Sequence, residues 1–242
     1  MRGKAILLAS AALLGLGCSS EPVDDDDETG SGGQPATEPT SNPCSAALRQ
    51  ELALVDEVTS RSVTVLEASG DEQVLYVDAT AGGPDGTEPW VYISLATGQA
   101  VALTDIDALA STEWDLALRR FVIRTNSGDS GPGQGGALRV NLGWSSVDAE
   151  TLGNRTPPSE LWFDAECNLT VDSSTGDVIT TFSGWSEYDV MTHLLTPADA
   201  VYLTLGGDGA LYKVAILDYY SNPNGTHGSI PGRYQLRIAS LP

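Results

Sequence analysis

The sequence predicts an all-β protein: many short antiparallel strands in a single domain, with one short helix at its N-terminal end. Three observations carry that prediction. Apolar residues alternate at period two through several short runs, as with Tyr234, Leu236 and Ile238 against Gln235 and Arg237. That spacing puts one set of side chains on one face of a strand. Turn-forming clusters punctuate the runs: Ser69-Gly70-Asp71-Glu72, Thr97-Gly98 and Gly206-Gly207-Asp208-Gly209, the last being the clearest hairpin signal. Glycine is plentiful, 26 of 242 residues, which suits a chain that reverses direction often.

The first residues read as a targeting segment. Arg2 and Lys4 precede an apolar run from Ala5 to Leu16, too short to span a bilayer as a stable helix and laid out like a secretory leader. Leu14-Gly15-Leu16-Gly17-Cys18 resembles a lipobox, with leucine one place earlier than usual and Gly15 in its stead. Residues 1–17 are therefore expected to be a lipoprotein signal peptide and Cys18 the lipidated residue; the alternative is an ordinary signal peptide and a free thiol. Acyl chains on Cys18 would anchor the protein to a membrane without spanning it. Ser19 follows the cysteine rather than aspartate, which favours the outer membrane or cell surface.

Residues 18–43 read as an acidic, disordered tether. They carry Glu21, Asp24 to Asp27, Glu28 and Glu38 with no Lys or Arg, and have almost nothing to bury. Such a segment repels itself and extends. The domain proper is expected over residues 44–242. The whole chain has a formal charge of −21, which argues against nucleic acid as a partner, since that affinity rests on Lys and Arg meeting phosphate. With Cys18 acylated, Cys44 and Cys167 remain as a disulfide pair in an oxidising compartment, or else as two buried thiols.

Taken in order, Ser45 to Val58 has helical spacing at Leu48, Leu52 and Val55, with Ser45 as candidate cap. Ser62 to Ala68 and Gln73 to Ala79 read as a hairpin, and Ala81 to Glu88 as a Gly/Pro loop. Trp90 to Leu95 and Gln99 to Leu103 form a second hairpin; Asp105 to Thr112 is a short connection. Trp114 opens one long buried strand. Leu116, Leu118 and Val122 fall on one face, Ala117, Phe121 and Ile123 on the other, so neither face meets water. Asn126 to Gly136 is a compact glycine-rich loop. It lacks the G-K-[ST] ending of a phosphate loop, and Gly131-Pro132-Gly133 would break the helix a phosphate site needs. Ala137 to Val147 holds an irregular strand, and Asp148 to Ser159 a long loop with Pro157-Pro158. Leu161 to Phe163 and Leu169 to Val171 are short apolar pieces. Ile179 to Phe182 leads into Gly184-Trp185. Val201 to Leu205 and Leu211 to Leu217 form the last hairpin, and Tyr234 to Ile238 closes the domain.

The run Trp114-Asp115, then Arg124-Thr125-Asn126, then the glycine loop ending Gly135-Gly136-Ala137 resembles the HmuY family of bacterial surface lipoproteins. Trp90-Val91-Tyr92-Ile93-Ser94-Leu95 upstream and Gly184-Trp185-Ser186-Glu187-Tyr188 downstream continue the resemblance in the family's order, which covers roughly Trp90 to the C-terminus. Characterised members are haemophores. The resemblance implies an all-β HmuY-like domain that captures haem or a related porphyrin and passes it to an outer-membrane haem importer.

In the family a haem axial ligand lies a few residues after this tryptophan. Met191 and His193 occupy that place, and haem iron accepts both Met sulfur and His nitrogen. Packing is the alternative: Met191 would fill a core gap and His193 would bond the backbone near Leu194-Leu195-Thr196-Pro197. The family's second ligand would fall between about Leu161 and Phe182. That segment holds no His and no Met, and Glu166 and Cys167 are its remaining donors. Arg119, Arg120, Arg124 and Arg139 are candidate partners for propionates. The pairs Asp105/Asp107 and Glu187/Asp189 suit Ca²⁺ or acid–base work only if they converge; they read as solvated surface carboxylates. His227, in Asn222-Pro223-Asn224-Gly225-Thr226-His227-Gly228, reads as an exposed loop residue. Neither histidine lies in a nucleophile elbow or zinc motif, so the sequence predicts a binding protein and not an enzyme. The rival reading is a surface structural or interaction lipoprotein that keeps the fold without a haem site.

Overall fold

The structure, a computed structural model, describes residues 44–80, 88–173, 176 and 178–242. The expected signal peptide, Cys18, the expected tether and most of the Ala81 to Glu88 loop lie outside the described residues. The helix α1 (Ser45–Glu51) is half the expected length, and Cys44, not Ser45, stands at its cap position without a capping side chain. It buries Leu48 and Leu52. Ala53 then turns left-handed at φ 43°, and the chain runs on extended, so Val58 bridges to Thr104 instead of continuing the helical stripe.

The strands follow the alternation read from the sequence. β1 (Val63–Ser69) and β2 (Glu72–Asp78) form a hairpin around Gly70, and β3 (Val91–Ser94) pairs with the short β4 (Gln99–Ala100). A one-turn helix, α2 (Asp105–Ala108), is capped by the Thr104 hydroxyl accepting from the Asp107 N–H. The expected single strand after Trp114 is instead a hairpin, β5 (Leu116–Arg119) and β6 (Val122–Thr125). Its two-residue turn hides in the sequence because Arg120, not Gly or Asn, takes the positive φ of 52°. Neighbours hold it there: the Arg120 N–H donates to the Ala79 carbonyl at 2.7 Å and the Tyr234 hydroxyl to the Arg120 carbonyl at 2.6 Å. β7 (Gly136–Val140) follows, then β8 (Ser186–Asp189), β9 (Leu194–Pro197), β10 (Val201–Leu205), β11 (Leu211–Asp218) and β12 (Arg233–Ser240).

These strands make a six-stranded sheet in the order β1-β2-β12-β11-β10-β7, a four-stranded sheet β4-β3-β5-β6, and the separate β8-β9 pair. The main core lies between the two larger sheets. Val91, Ile93, Leu116 and Leu118 meet Leu75, Val77, Val214, Leu236 and Ile238 there. The opposite face of the smaller sheet is covered too: Tyr92 and Ala117 pack with Trp90, Trp114, Trp162, Leu48 and Leu52. That double burial is why Leu116, Ala117 and Leu118 of β5 are apolar on both faces.

The glycine loop is structural, as expected. Asn126 sits at its centre, fully buried. Its amide donates to the carbonyls of Ser111 and Trp114 and accepts from the Gly133 N–H. A Cβ on Gly131 would lie 2.3 Å from the Asn126 side-chain oxygen, and one on Gly135 would lie 2.6 Å from its carbonyl. Glycine here serves close approach of backbone. Arg124 is also fully buried, stacked within 4.5 to 5.9 Å of the rings of Trp90, Tyr92, Trp114 and Trp162. Its guanidinium donates to Ser130 and to the Tyr92 hydroxyl, which in turn donates to Asp105. Cys44 and Cys167 are joined, as the cysteine count implied, across 123 residues. A loop of that length is worth ~4–5 kcal/mol in the chain-entropy account of disulfides.

Candidate ligand cleft

Two segments outside the two larger sheets, here called arms, line one cavity. The first comprises the described residues 161–173, 176, 178 and 179. It is an irregular ribbon closed by bridges between Phe163 and Leu169 and between Val171 and Val178. Its root is fixed by Trp162, fully buried, and by Asp129, whose carboxylate accepts from the backbone N–H groups of Trp162 and Phe163. Glu160, buried beside it, accepts from Thr125, Trp162 and Thr181. The disulfide ties Cys167 of this arm back to α1.

The second arm is the β8-β9 hairpin, which the sequence reading did not recognise as strands. Its residues are mostly exposed, so the alternation of buried positions that reveals a strand is missing. It is rooted by Trp185, buried, whose indole N–H donates to the Phe121 carbonyl at 2.9 Å, and by the Leu195 N–H, which donates to the Tyr220 hydroxyl at 3.0 Å. Gly184 enters the arm at φ 79°, a backbone region open to glycine.

A cleft of about 330 Å³ opens between the arms. Val178 and Ile179 of the first arm and Tyr188 and Leu195 of the second line it, together with Phe121 and Trp185. Asp172 contributes a carboxylate to the same wall. That volume is at the lower end of small-ligand sites, which run about 300–1,000 Å³ and are mostly apolar. A second hollow of about 640 Å³ lies against Leu194, Pro197, Leu217, Tyr220 and His227, and Leu195 borders both spaces. The β8-β9 arm is thus open to a cavity on each side.

Met191 and His193 sit on the turn that joins β8 to β9. Asp189 builds this turn. Its carboxylate accepts from the Met191 and Thr192 N–H groups, and these bonds, that from Met191 foremost, hold its carboxyl below the usual carboxylate range. Met191 is 85% exposed, so it fills no core gap. His193 adopts φ 58°, and its Nδ1 lies 2.6 Å from the Tyr188 hydroxyl; its ring is bonded to a side chain and not to the backbone beyond. Neither residue is in the wall of the cleft, and His193 reaches that wall through Tyr188. Sequence reasoning passed over Tyr188, although it stands within the Trp185 motif.

The four arginines part company. Arg124 is locked in its aromatic cage, and Arg119 donates to the carbonyls of Leu52 and Ala53. Arg139 donates to the carbonyl of Gly184, a cleft residue, and Arg120 lies 5.7 Å from the ring of Phe121, another. Asp105 is not solvated: it is fully buried and accepts from the N–H groups of Val55 and Trp90 and from Tyr92. His227 is exposed and bonds Asp218 at 2.9 Å. Among the described residues no group of three or more His, Cys, Asp and Glu side chains could hold a metal ion.

Fold and cleft together define a two-sheet β domain with a ligand-sized, largely apolar gap between two projecting arms. The chain belongs to the HmuY family, whose description, HmuY protein, matches residues 86–234. Solved structures of similar fold include an apo HmuY analog from Tannerella forsythia, 18% identical, covering 77% of this chain and 100% of that one at a TM-score of 0.49. Another is a Bacteroides vulgatus protein assigned as an HmuY-like heme binder, 20% identical, covering 74% and 96% at 0.46. Apo PinO from Porphyromonas gingivitis is 15% identical over 78% and 99% at 0.37. No curated protein matches the chain.

Proposed function

We propose that this protein is a lipid-anchored surface protein that captures haem or a related porphyrin between its two arms and passes it to an outer-membrane haem importer. Residues 1–17 serve as the leader, Cys18 carries the lipid, residues 18–43 are the tether and residues 44–242 the binding domain. Membership of the HmuY family supports this reading. The observation that carries it is the uncovered apolar surface flanking the cleft. Tyr188, Val190, Met191 and Leu194 on the second arm, and Val171 and Ile179 on the first, are between 39% and 85% exposed. Soluble proteins rarely leave apolar groups clustered in this way without something to cover them. A flat apolar ligand entering between the arms removes such area from water at ~25 cal/mol per Å². Arg120 and Arg139 stand beside cleft residues, where propionate charge needs offsetting in so acidic a chain. Met191 and His193 are the iron-donor types on the arm's turn.

The test is a titration of the purified domain with haemin, followed in the Soret band, and repeated with Met191→Ala and His193→Ala. The parent protein is expected to shift the band and at least one variant to weaken it. No shift in the parent would remove porphyrin capture and leave an anchored interaction protein. A shift untouched in both variants would take Met191 and His193 out of the site.

A further inference from the structure

The larger hollow, of about 640 Å³, has no part in capture between the arms. Its apolar wall includes Leu194, Pro197 and Leu217, and Leu194 and Leu217 are 48% and 45% exposed. That volume falls within the range of small-molecule sites. Asp218 and His227 border the same space. They are bonded to each other, with Nδ1 of His227 lying 2.9 Å from Oδ2 of Asp218. The fold has little use for that bond. The loop carrying His227 is already closed by backbone: the Asn222 N–H donates to the Thr226 carbonyl at 2.7 Å, and the Gly228 N–H to the Tyr220 carbonyl at 2.8 Å. The His227 side chain is 73% exposed, and ion pairs that water reaches add little stability.

What the bond fixes is the chemistry of the ring. Asp218 is itself held, its Oδ1 accepting from the Tyr220 N–H at 2.9 Å. An ionised carboxylate only accepts, so Nδ1 of His227 carries the hydrogen and the neutral ring keeps its lone pair on Nε2. Nε2 has no hydrogen-bond partner among the described residues. A carboxylate-oriented imidazole with its far nitrogen open is the outer-shell arrangement of a metal-ligating histidine. A bare ion would need about three or four protein donors. Among the described residues no group of three or more His, Cys, Asp and Glu gathers to supply them. A metal that arrives with its equatorial positions filled needs only one, and it brings a flat apolar body that suits the wall.

We propose that this hollow is a second ligand site, which takes a metallated tetrapyrrole through Nε2 of His227, with Asp218 as the positioning residue. It goes beyond capture in the cleft and uses neither Met191 nor His193. The Nε2 lone pair enters an axial position from which water leaves; no proton and no electron moves. Imidazole nitrogen is an established axial donor to haem iron.

The experiment titrates the full chain with haemin and, in parallel, with metal-free protoporphyrin IX. It reads Trp fluorescence quenching for affinity and the visible spectrum for the ligand type. A Met191→Ala/His193→Ala double variant is expected to keep an imidazole-ligated haemin, and adding His227→Ala should abolish that spectrum. Asp218→Asn, whose oxygen can still accept from Tyr220 but whose amide donates to Nδ1, should move the hydrogen to Nε2 and weaken haemin binding by roughly 10–100-fold, the usual effect of losing an outer-shell partner. Metal-free porphyrin should bind all of these within a few-fold of one another, which a merely structural role for Asp218 would not give. Loss of all haemin binding in the double variant would overturn the second site and leave the cleft as the only one. So would an imidazole spectrum untouched by His227→Ala. Failure of the parent to bind either porphyrin would overturn both sites.

Discussion

Glu160 makes the sharpest demand on the domain's stability. Its carboxylate lies inside the protein, 1% exposed, where the glycine loop, β6 and the root of the first arm converge. It accepts five hydrogen bonds: from the Thr125 N–H at 2.9 Å and hydroxyl at 3.1 Å, the Thr181 N–H at 3.0 Å and hydroxyl at 2.9 Å, and the Trp162 indole at 3.0 Å. Glu160→Ala strands all five donors in a dry site. Each buried donor left unmatched costs ~1–3 kcal/mol, but water entering the vacated space would serve some of them. A net loss of ~3–5 kcal/mol is expected, below the sum over five donors because water serves some of them. Glu160→Gln keeps one oxygen, enough for the Thr125 groups and the Thr181 hydroxyl, but turns an amide N–H₂ toward the indole and the Thr181 N–H. Two stranded donors, at the lower end of the per-donor cost, put it at ~2 kcal/mol. Urea unfolding followed by tryptophan fluorescence measures both, with the slope expected to stay constant while the midpoint moves. An alanine variant within ~1 kcal/mol of the parent, the size of an ordinary substitution, would refute the account. So would a glutamine variant as costly as alanine, because the reasoning depends on counting acceptors.

Two further outcomes are expected. Burial pushes the Tyr202 phenol up to about 12 and raises those of Tyr92, Tyr219 and Tyr234 as well. The folded state therefore keeps these groups neutral where the unfolded chain ionises them, so their contribution is whole below about pH 10 and is lost as pH climbs from there toward the folded values. Each should remove ~1.4 kcal/mol per pH unit. Tyr76 and Tyr212 are raised by burial in the same way, and Lys213 is the one lysine after Lys4, so urea midpoints that stay flat between pH 9 and pH 11 would contradict the burial. Reducing the Cys44–Cys167 bridge, or replacing both cysteines by serine, should cost ~2–5 kcal/mol. Calorimetry with and without reductant measures this, and an unchanged Tm would mean that the bridge constrains nothing in the unfolded chain.

Local chemistry made much of this protein legible in one dimension. The hairpins at Gly70, at Gly98 and at Gly206 to Gly209 announce themselves because alternating strands and glycine turns are properties of adjacent residues. The disulfide followed from counting cysteines. The β5-β6 turn was not legible, because Arg120 is held at positive φ by Ala79 and Tyr234, residues distant in sequence. Asp105 looked like one of many surface acids, and only the approach of Val55, Trp90 and Tyr92 makes it a buried acceptor. The β8-β9 arm went unseen for the opposite reason: a strand exposed on both faces leaves no hydrophobic rhythm.

For the site, sequence pointed to the turn after Trp185 and to the residue types there that bind iron. It could not say that Met191 stands out in solvent, or that His193 touches Tyr188. Neither could it say that a cleft lies between this turn's arm and another tied down by Cys167. Composition and pattern determine which segments become strands and which leave water. Which side chains then share a cavity depends on how two separately rooted arms face each other, and that is decided by contacts between residues far apart along the chain.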